Sequence, residues 1–252
     1  MYPLAHLYFV EKALQELSEE TILGSIFPDI AFFSGFEWHY SHSLGYDLWH
    51  DFYRSDAAGM IHFCRGVISH GIAPQGLDYY SDEQYLDYEK GYCYEKARPL
   101  IDGVVEACNI SIGDGWWKAH NFIEMGVELF VFEKRPELLL YLQEALSRAT
   151  LIREICGKIA PSLGKDRHLL ERGYLYFKDF IERGPMDAKS LALRYQDHIF
   201  LRHSIDSVNL IQCEDIIERG KEIVISDIEI FFNDVRLLMV PIWHQSGIRD
   251  YD

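Results

Sequence analysis

Seven of the chain's eleven histidines, His6, His39, His42, His50, His62, His70 and His120, fall within its first 120 residues. With them come an aspartate beside a proline, Asp29 after Pro28, and a His120-x-x-x-Glu124 pair whose two donors share one helical face. Imidazole nitrogens and carboxylate oxygens delivered from separate helices into a bundle are the donor set of a histidine-and-carboxylate zinc centre. Taken singly, each piece has a plainer reading. A lone His6 on an apolar helix face is ordinarily a hydrogen-bonded core residue, and an i,i+4 His/Glu pair is an ordinary surface contact. His39 with His42 reads equally as two ligands or a polar turn, and the His50-Asp51 doublet as a metal motif or a surface accident. The joint occurrence of these residues points to a metal.

Helices must position them. Residues 4 to 17 set Leu7, Val10, Leu14 and Leu17 at helical spacing with Glu11, Lys12 and Glu16 opposite, which predicts an amphipathic helix entered after Pro3 with His6 at the edge of its apolar face. The segment 23 to 41 is interrupted by Gly24, Pro28 and Gly35, so Asp29 is expected in a loop or at a helix start, where a short carboxylate can turn inward. Residues 57 to 71 predict a helix ended by Gly71 and Pro74, with His70 in its last turn. A polar, tyrosine-rich stretch then leads to a helix near 97 to 108. The Gly113-Asp114-Gly115 sequence reads as a turn opening a helix from Trp116 to about Phe132. Farther on, Val224, Ile228, Phe231, Val235 and Leu238 repeat at a 4-3-4-3 spacing, a helical seam. No long segment alternates as a strand does. The fold class expected is therefore all-α, a multi-helix bundle.

Composition bounds the partners. The chain has 252 residues, with 24 basic and 40 acidic ones and a formal charge of -16, which repels phosphate backbones and excludes nucleic acid as a partner. Five scattered cysteines, Cys64, Cys93, Cys108, Cys156 and Cys213, have no CxxC spacing and are expected to be reduced and buried. The opening residues lack the features of a secretory signal, and no stretch approaches about 18 apolar residues without charge. A cytoplasmic protein without transmembrane segments is the expectation. A single helical domain over 1–252 is expected, its metal-site half at 1–135 and a helical extension at 136–252. The Glu-Arg-Gly-Pro-Met-Asp stretch around Pro185 is its softest point.

The opening Ala-His-Leu-Tyr-Phe-Val-Glu-Lys-Ala-Leu, the Leu-Gly-Ser-Ile-Phe-Pro-Asp-Ile segment, Ser-His-Ser at 41–43, Gly-Val-Ile-Ser-His-Gly at 66–71 and Ala-His-Asn-Phe-Ile-Glu-Met-Gly-Val-Glu at 119–128 together resemble the zinc-dependent phospholipase C family over roughly residues 1–135. The resemblance implies an all-helical fold of that type. It carries His6 onto the family's first-helix histidine, Asp29 onto its loop aspartate, His42 and His70 onto the histidines that follow, and His120 with Glu124 onto the ligands of one zinc. The chain departs from the pattern where the family places an aspartate four residues after the helix histidine, because Pro74 stands there. Asp78 is the nearest carboxylate that can substitute, reaching in from the loop, and His62 shares the helix of His70. One or two zinc ions are expected rather than three.

On this reading His6, Asp29, His42, His70, His120 and Glu124, with Asp78, converge on metal, and the activity is metal-assisted hydrolysis of a small-molecule or lipid phosphoester. Asp29 is both ligand and proton acceptor, and Phe32, Phe33, Phe36 and Trp38 either line a cleft or belong to the core. Two alternatives stand beside it: a phosphohydrolase of the HD type centred on His50-Asp51, and a non-catalytic helical binding protein with an eroded site, which Pro74 favours.

Overall fold

The computed structural model describes residues 1–53, 58–203, 205, 207–245 and 247–248. Every element among them is helical. In chain order these are α1 (Pro3–Leu14), α2 (Glu19–Ser25), α3 (Phe27–Phe33), α4 (Trp38–Ser41), α5 (Gly45–Tyr53), α6 (Ala58–His70), a π-helical turn (Tyr79–Glu83), α7 (Tyr92–Ala97), a 3-10 turn (Arg98–Leu100), α8 (Ile101–Cys108), α9 (Ile112–Lys134), α10 (Glu137–Leu146), α11 (Ala149–Leu163), α12 (Arg167–Ile181), α13 (Ala188–His203), α14 (Leu210–Val224) and α15 (Ile228–Gln245). None of these helices is long and apolar enough to cross a membrane.

Boundaries differ from expectation where capping overrides punctuation. Gly113-Asp114-Gly115 is not a turn: it lies in the first turn of α9, because Ser111 caps the helix four residues before Gly115, its Oγ accepting from the Asp114 amide at 3.3 Å and donating to the Asp114 carboxylate at 2.8 Å. The seam from Val224 to Leu238 is carried by two helices, α14 ending at Val224 and α15 starting at Ile228. Val224, Ile228, Phe231 and Val235 are buried, whereas Leu238 is exposed and Met239 takes the inward place. Ala57, the expected first residue of α6, lies outside the described residues. All five cysteines are buried free thiols.

The chain divides into two compact units, each discontinuous in sequence. Two of the crossings, after Pro136 and after Glu182, fall at the residue-135 junction and in the stretch around Pro185. The first unit comprises Met1–Ala5, Tyr80–Pro136 and Arg183–Phe232. It is built on α9, against which α7, α8 and α14 pack. Gly126 and Gly220 let α9 and α14 touch backbone to backbone, since a Cβ on Gly126 would lie 2.4 Å from the Lys221 amide nitrogen and one on Gly220 would lie 2.7 Å from the Phe122 carbonyl. The second unit comprises His6–Tyr79, Glu137–Glu182 and Asn233–Asp252. Its centre is the pair α2 and α6, flanked by α5 and α10. Phe33 packs against Phe177 of α12 at 6.3 Å, and Tyr174 donates to the Leu23 carbonyl at 3.0 Å, so Phe33 serves the packing against α12.

Candidate metal centre

Two glycines on facing helices fix His70. A Cβ on Gly24 would lie 2.0 Å from the Phe63 carbonyl oxygen, and one on Gly66 would lie 2.4 Å from the Thr21 carbonyl oxygen, so α2 and α6 can meet this closely only with glycine at both places. The approach sets the Ser25 carbonyl, at the end of α2, 2.6 Å from Nδ1 of His70. A carbonyl only accepts, so Nδ1 carries the proton and Nε2 is turned the other way. That nitrogen is buried, has no hydrogen-bond partner, and stands 3.1 Å from Oδ2 of Asp78.

Asp78 reaches this point by a loop. After α6 the chain passes Gly71, where a Cβ would sit 2.4 Å from the His42 carbonyl oxygen, and then curls so that the Gly76 amide donates to the Gly71 carbonyl at 2.9 Å. The curl returns Asp78 to the end of the helix that carries His70, although Pro74 occupies the helix-spaced position.

The same packing places His42. Its main-chain carbonyl accepts from the Ile72 amide at 2.7 Å. Its Nδ1 lies 3.0 Å from the Trp38 carbonyl and 2.9 Å from Ser41 Oγ, which again leaves Nε2 facing inward. Nε2 is 3.4 Å from Asp78 Oδ2 and 3.7 Å from Asp29 Oδ1. Trp38 stacks on the His42 ring with centroids 4.5 Å apart. From α1, His6 brings Nε2 to 3.3 Å from Asp78 Oδ1 and lays its ring flat on His70, centroids 3.6 Å apart and 3° from parallel. Asp29 is in the first turn of α3 behind Pro28, as a helix start allows, and at 24 % side-chain exposure it is the open member of a group whose others are at 4 % or less.

The titration behaviour follows from this crowding. Burial, reinforced by the charge of His70, lowers His6 to about 3. Burial also opposes charge on His70, but the adjoining Asp78 carboxylate outweighs it and raises that imidazole. Asp29 falls to about 2, burial working against its ionisation while the His42 hydrogen bond and the His70 charge prevail.

His120 and Glu124 meet in the first unit, on α9, and Asp82 of the π-helical turn joins them, the three offering donor atoms within 4.8 Å of one another. Nδ1 of His120 is buried without a hydrogen-bond partner, Nε2 lies 3.0 Å from the Asn121 amide nitrogen, and burial lowers the ring to about 4. Tyr94 stacks on the His120 ring at 4.2 Å and 11°. Glu124 Oε1 stands 3.0 Å from the Met1 amino group.

The seven residues expected from sequence thus fall into groupings of potential ligands: His6, His70 and Asp78; Asp29, His42 and His70; and Asp82, His120 and Glu124. Asp82 is the residue that sequence reasoning missed. His62 is not among them and pairs with Glu16 at 2.9 Å. His50 and Asp51 are exposed on α5 and belong to no such group among the described residues. His39 is exposed, so of the His39/His42 pair only His42 faces inward.

The donor spacing fits a metal. Two ligands each about 2.0–2.2 Å from a tetrahedral zinc are about 3.4 Å apart, and the nitrogen–oxygen distances around Asp78 and Asp29 run from 3.1 to 3.7 Å. No protein-family model, curated protein or solved structure matches the chain.

Proposed function

We propose that the chain is a metal-dependent hydrolase of a phosphoester, with zinc as its cofactor in one or two positions and a helical fold of the zinc-dependent phospholipase C type. The observation that carries this reading is the convergence of three imidazole Nε2 atoms, of His6, His42 and His70, on the two oxygens of one buried carboxylate, Asp78, at 3.1 to 3.4 Å. Neutral imidazole and carboxylate are both electron-pair donors there, and such groups are held face to face without mutual repulsion by a cation they share. His6, His70 and Asp78 would hold one ion, with Asp29 and His42 completing the group. A bound divalent ion supplies Lewis-acid polarisation of a phosphoryl oxygen and acidifies water toward neutral pH.

The chain's own residues do the rest. The Ser25 and Trp38 carbonyls fix the tautomers of His70 and His42, so that Nε2 is the donor in each. Asp29, the open member, is the proton acceptor for the attacking water. From the open side its carboxylate would also orient that water. Trp38, half-buried over His42, bounds the group on one side. The free cysteines favour a reducing compartment, the cytoplasm, and the substrate is a small-molecule or lipid phosphoester. The test is metal analysis of the purified chain with assay of aryl phosphomonoester and phosphodiester cleavage. Zinc content with activity lost on chelation and regained on zinc addition supports the reading. A chain that takes up no zinc refutes it, and a zinc-replete chain inactive on both substrates reduces the function to binding.

A further inference from the structure

We infer that Cys108 and Cys213 are an oxidisable thiol pair, which hydrogen peroxide converts to a disulfide joining α8 to α14. The inference is independent of the metal reading, and both cysteines belong to the first unit. Cys108 is the last residue of α8, and Cys213 lies in the first turn of α14. The two helix ends are laced together. The amide of Asn209, the cap of α14, donates to the Ala107 carbonyl at 2.7 Å, and Cys213 follows one turn on, its amide donating to the Asn209 carbonyl at 2.9 Å. Asn109 Nδ2 reaches Ser207 Oγ at 3.0 Å, and Gln212 Nε2 donates to Glu106 Oε1 at 3.1 Å. A disulfide asks that the two backbones approach to about 7 Å between Cα atoms, and this lacing holds them together where the cysteines stand. Within it the Cys213 thiol donates a hydrogen bond to the Cys108 sulfur.

The two sulfurs are unequal. The hydrogen bond from Cys213 lowers Cys108 against the opposing effect of burial, and the Lys118 charge adds to it. The same bond, with burial, raises Cys213, so Cys108 is the sulfur that ionises while Cys213 keeps its proton. Cys64 and Cys156, in the other unit, differ from Cys108: burial pushes each of them up to about 12. A second observation falls at the same place. Tyr195 of α13 is buried, its hydroxyl has no hydrogen-bond partner, and after burial the charge that acts on it most is that of Cys108. An unused donor beside the sulfurs is available to a thiolate or sulfenate there. The thiols themselves are buried, but Ile211 is exposed and a cavity of about 410 Å³ runs along the same two helices, lined by Glu106, Gln212 and Ile216 among others.

The chemistry closes in two steps. The Cys108 thiolate attacks one oxygen of peroxide, the O–O bond breaks, and the departing hydroxide takes up a proton, leaving a sulfenic acid and water. The Cys213 sulfur then attacks the sulfenic sulfur; the S–S bond forms as the S–O bond breaks, and the Cys213 proton leaves with the hydroxide as a second water. The sulfurs lose two electrons and the peroxide oxygens gain them.

The test treats the folded, reduced full chain with hydrogen peroxide, counts thiols after denaturation, and maps a non-reduced digest by mass spectrometry. Loss of two of the five thiols is expected, reversed by dithiothreitol, with one linked peptide pair containing Cys108 and Cys213 and no covalent dimer. In Cys213→Ala the bridge is expected to be absent and dimedone to label Cys108. Retention of all five thiols, a bridge to another cysteine or between two chains, or dimedone at a cysteine other than Cys108 overturns the inference. The mapping on the wild type decides the pairing even where the alanine variant fails to fold.

Discussion

One carboxylate, Asp78, answers to three imidazoles, so its charge is the residue-level feature on which the proposed site depends. Asp78→Asn keeps the volume and removes the charge, and zinc affinity measured by competition with a chelating dye is expected to fall by about a hundredfold or more, since even outer-shell partners of metal ligands are worth about 10–100-fold. Asp29→Asn is expected to lower turnover of an aryl phosphate by a larger factor than it lowers zinc content, because the open member orients water while the others retain the ion; parallel metal analysis and kinetics decide this. A third expectation concerns Glu128, outside the candidate ligands. It accepts from the Leu4 and Ala5 amides at 3.0 and 3.1 Å, and burial raises its carboxyl to about 7. Because the folded state then holds this proton more tightly than the unfolded state, this group's contribution to stability, on the order of 3 kcal/mol, is full below about 4.5 and is lost as pH rises through about 7. Urea unfolding at pH 5 and pH 8 should show that decline in the wild type and a flatter profile in Glu128→Gln. Residue types explain what was legible here. His6, Asp29, His42, His70, His120 and Glu124 stand out because imidazole and carboxylate are specialised donors, and Asp78 because Pro74 vacates a carboxylate position. Asp82 did not stand out, because one more carboxylate in an acidic, tyrosine-rich stretch has no signature until the π-helical turn Tyr79–Glu83 directs it.

At the scale of elements, the site is made by close helix crossings and a curled loop. Gly66→Ala forces a Cβ to within 2.4 Å of the Thr21 carbonyl oxygen and 2.6 Å of the Ser25 nitrogen, so α2 must move away from α6 and take the Ser25 carbonyl from His70. Thermal or denaturant unfolding is expected to show a loss of about 1–3 kcal/mol, as for overpacking generally, and zinc binding should weaken with it. Gly113→Ala is the control. The nearest atom to its Cβ is Ser111 Oγ at 3.6 Å, so the change should be neutral or stabilising by about 0.5–1 kcal/mol. Helical periodicity made α1 and α6 readable, but α1 ends at Leu14, short of the expected Leu17, where Gln15 takes a φ of 58°, and the spacing from Val224 to Leu238 did not show the break between α14 and α15. The start of α9 was misplaced because Gly-Asp-Gly looks like a turn until Ser111 is seen as a cap. The short pieces α7 and the turn at Tyr79–Glu83 were not foreseen, since a few residues carry too little periodicity to register.

For the whole molecule, hydrophobic periodicity gave the all-helical class directly, but the partition was hidden: each unit draws residues from separated stretches, and which stretches join is decided by packing that sequence spacing does not encode. Far-ultraviolet circular dichroism should be helical without a sheet component, and on the proposed reading, in which zinc binds the folded chain alone, adding it at about 100 times its dissociation constant should stabilise the protein by about 2.7 kcal/mol, reversed by chelation. The central claim is that the histidine and carboxylate group around Asp78 holds a metal. Zinc stoichiometry of the purified, zinc-equilibrated chain tests it most directly, measured side by side for wild type, Asp78→Asn and, as an exposed control, His50→Ala. One or two ions in the wild type and in His50→Ala, with at least one lost in Asp78→Asn, is the predicted result. No bound zinc in the wild type, or as much in Asp78→Asn as in the wild type, would contradict it.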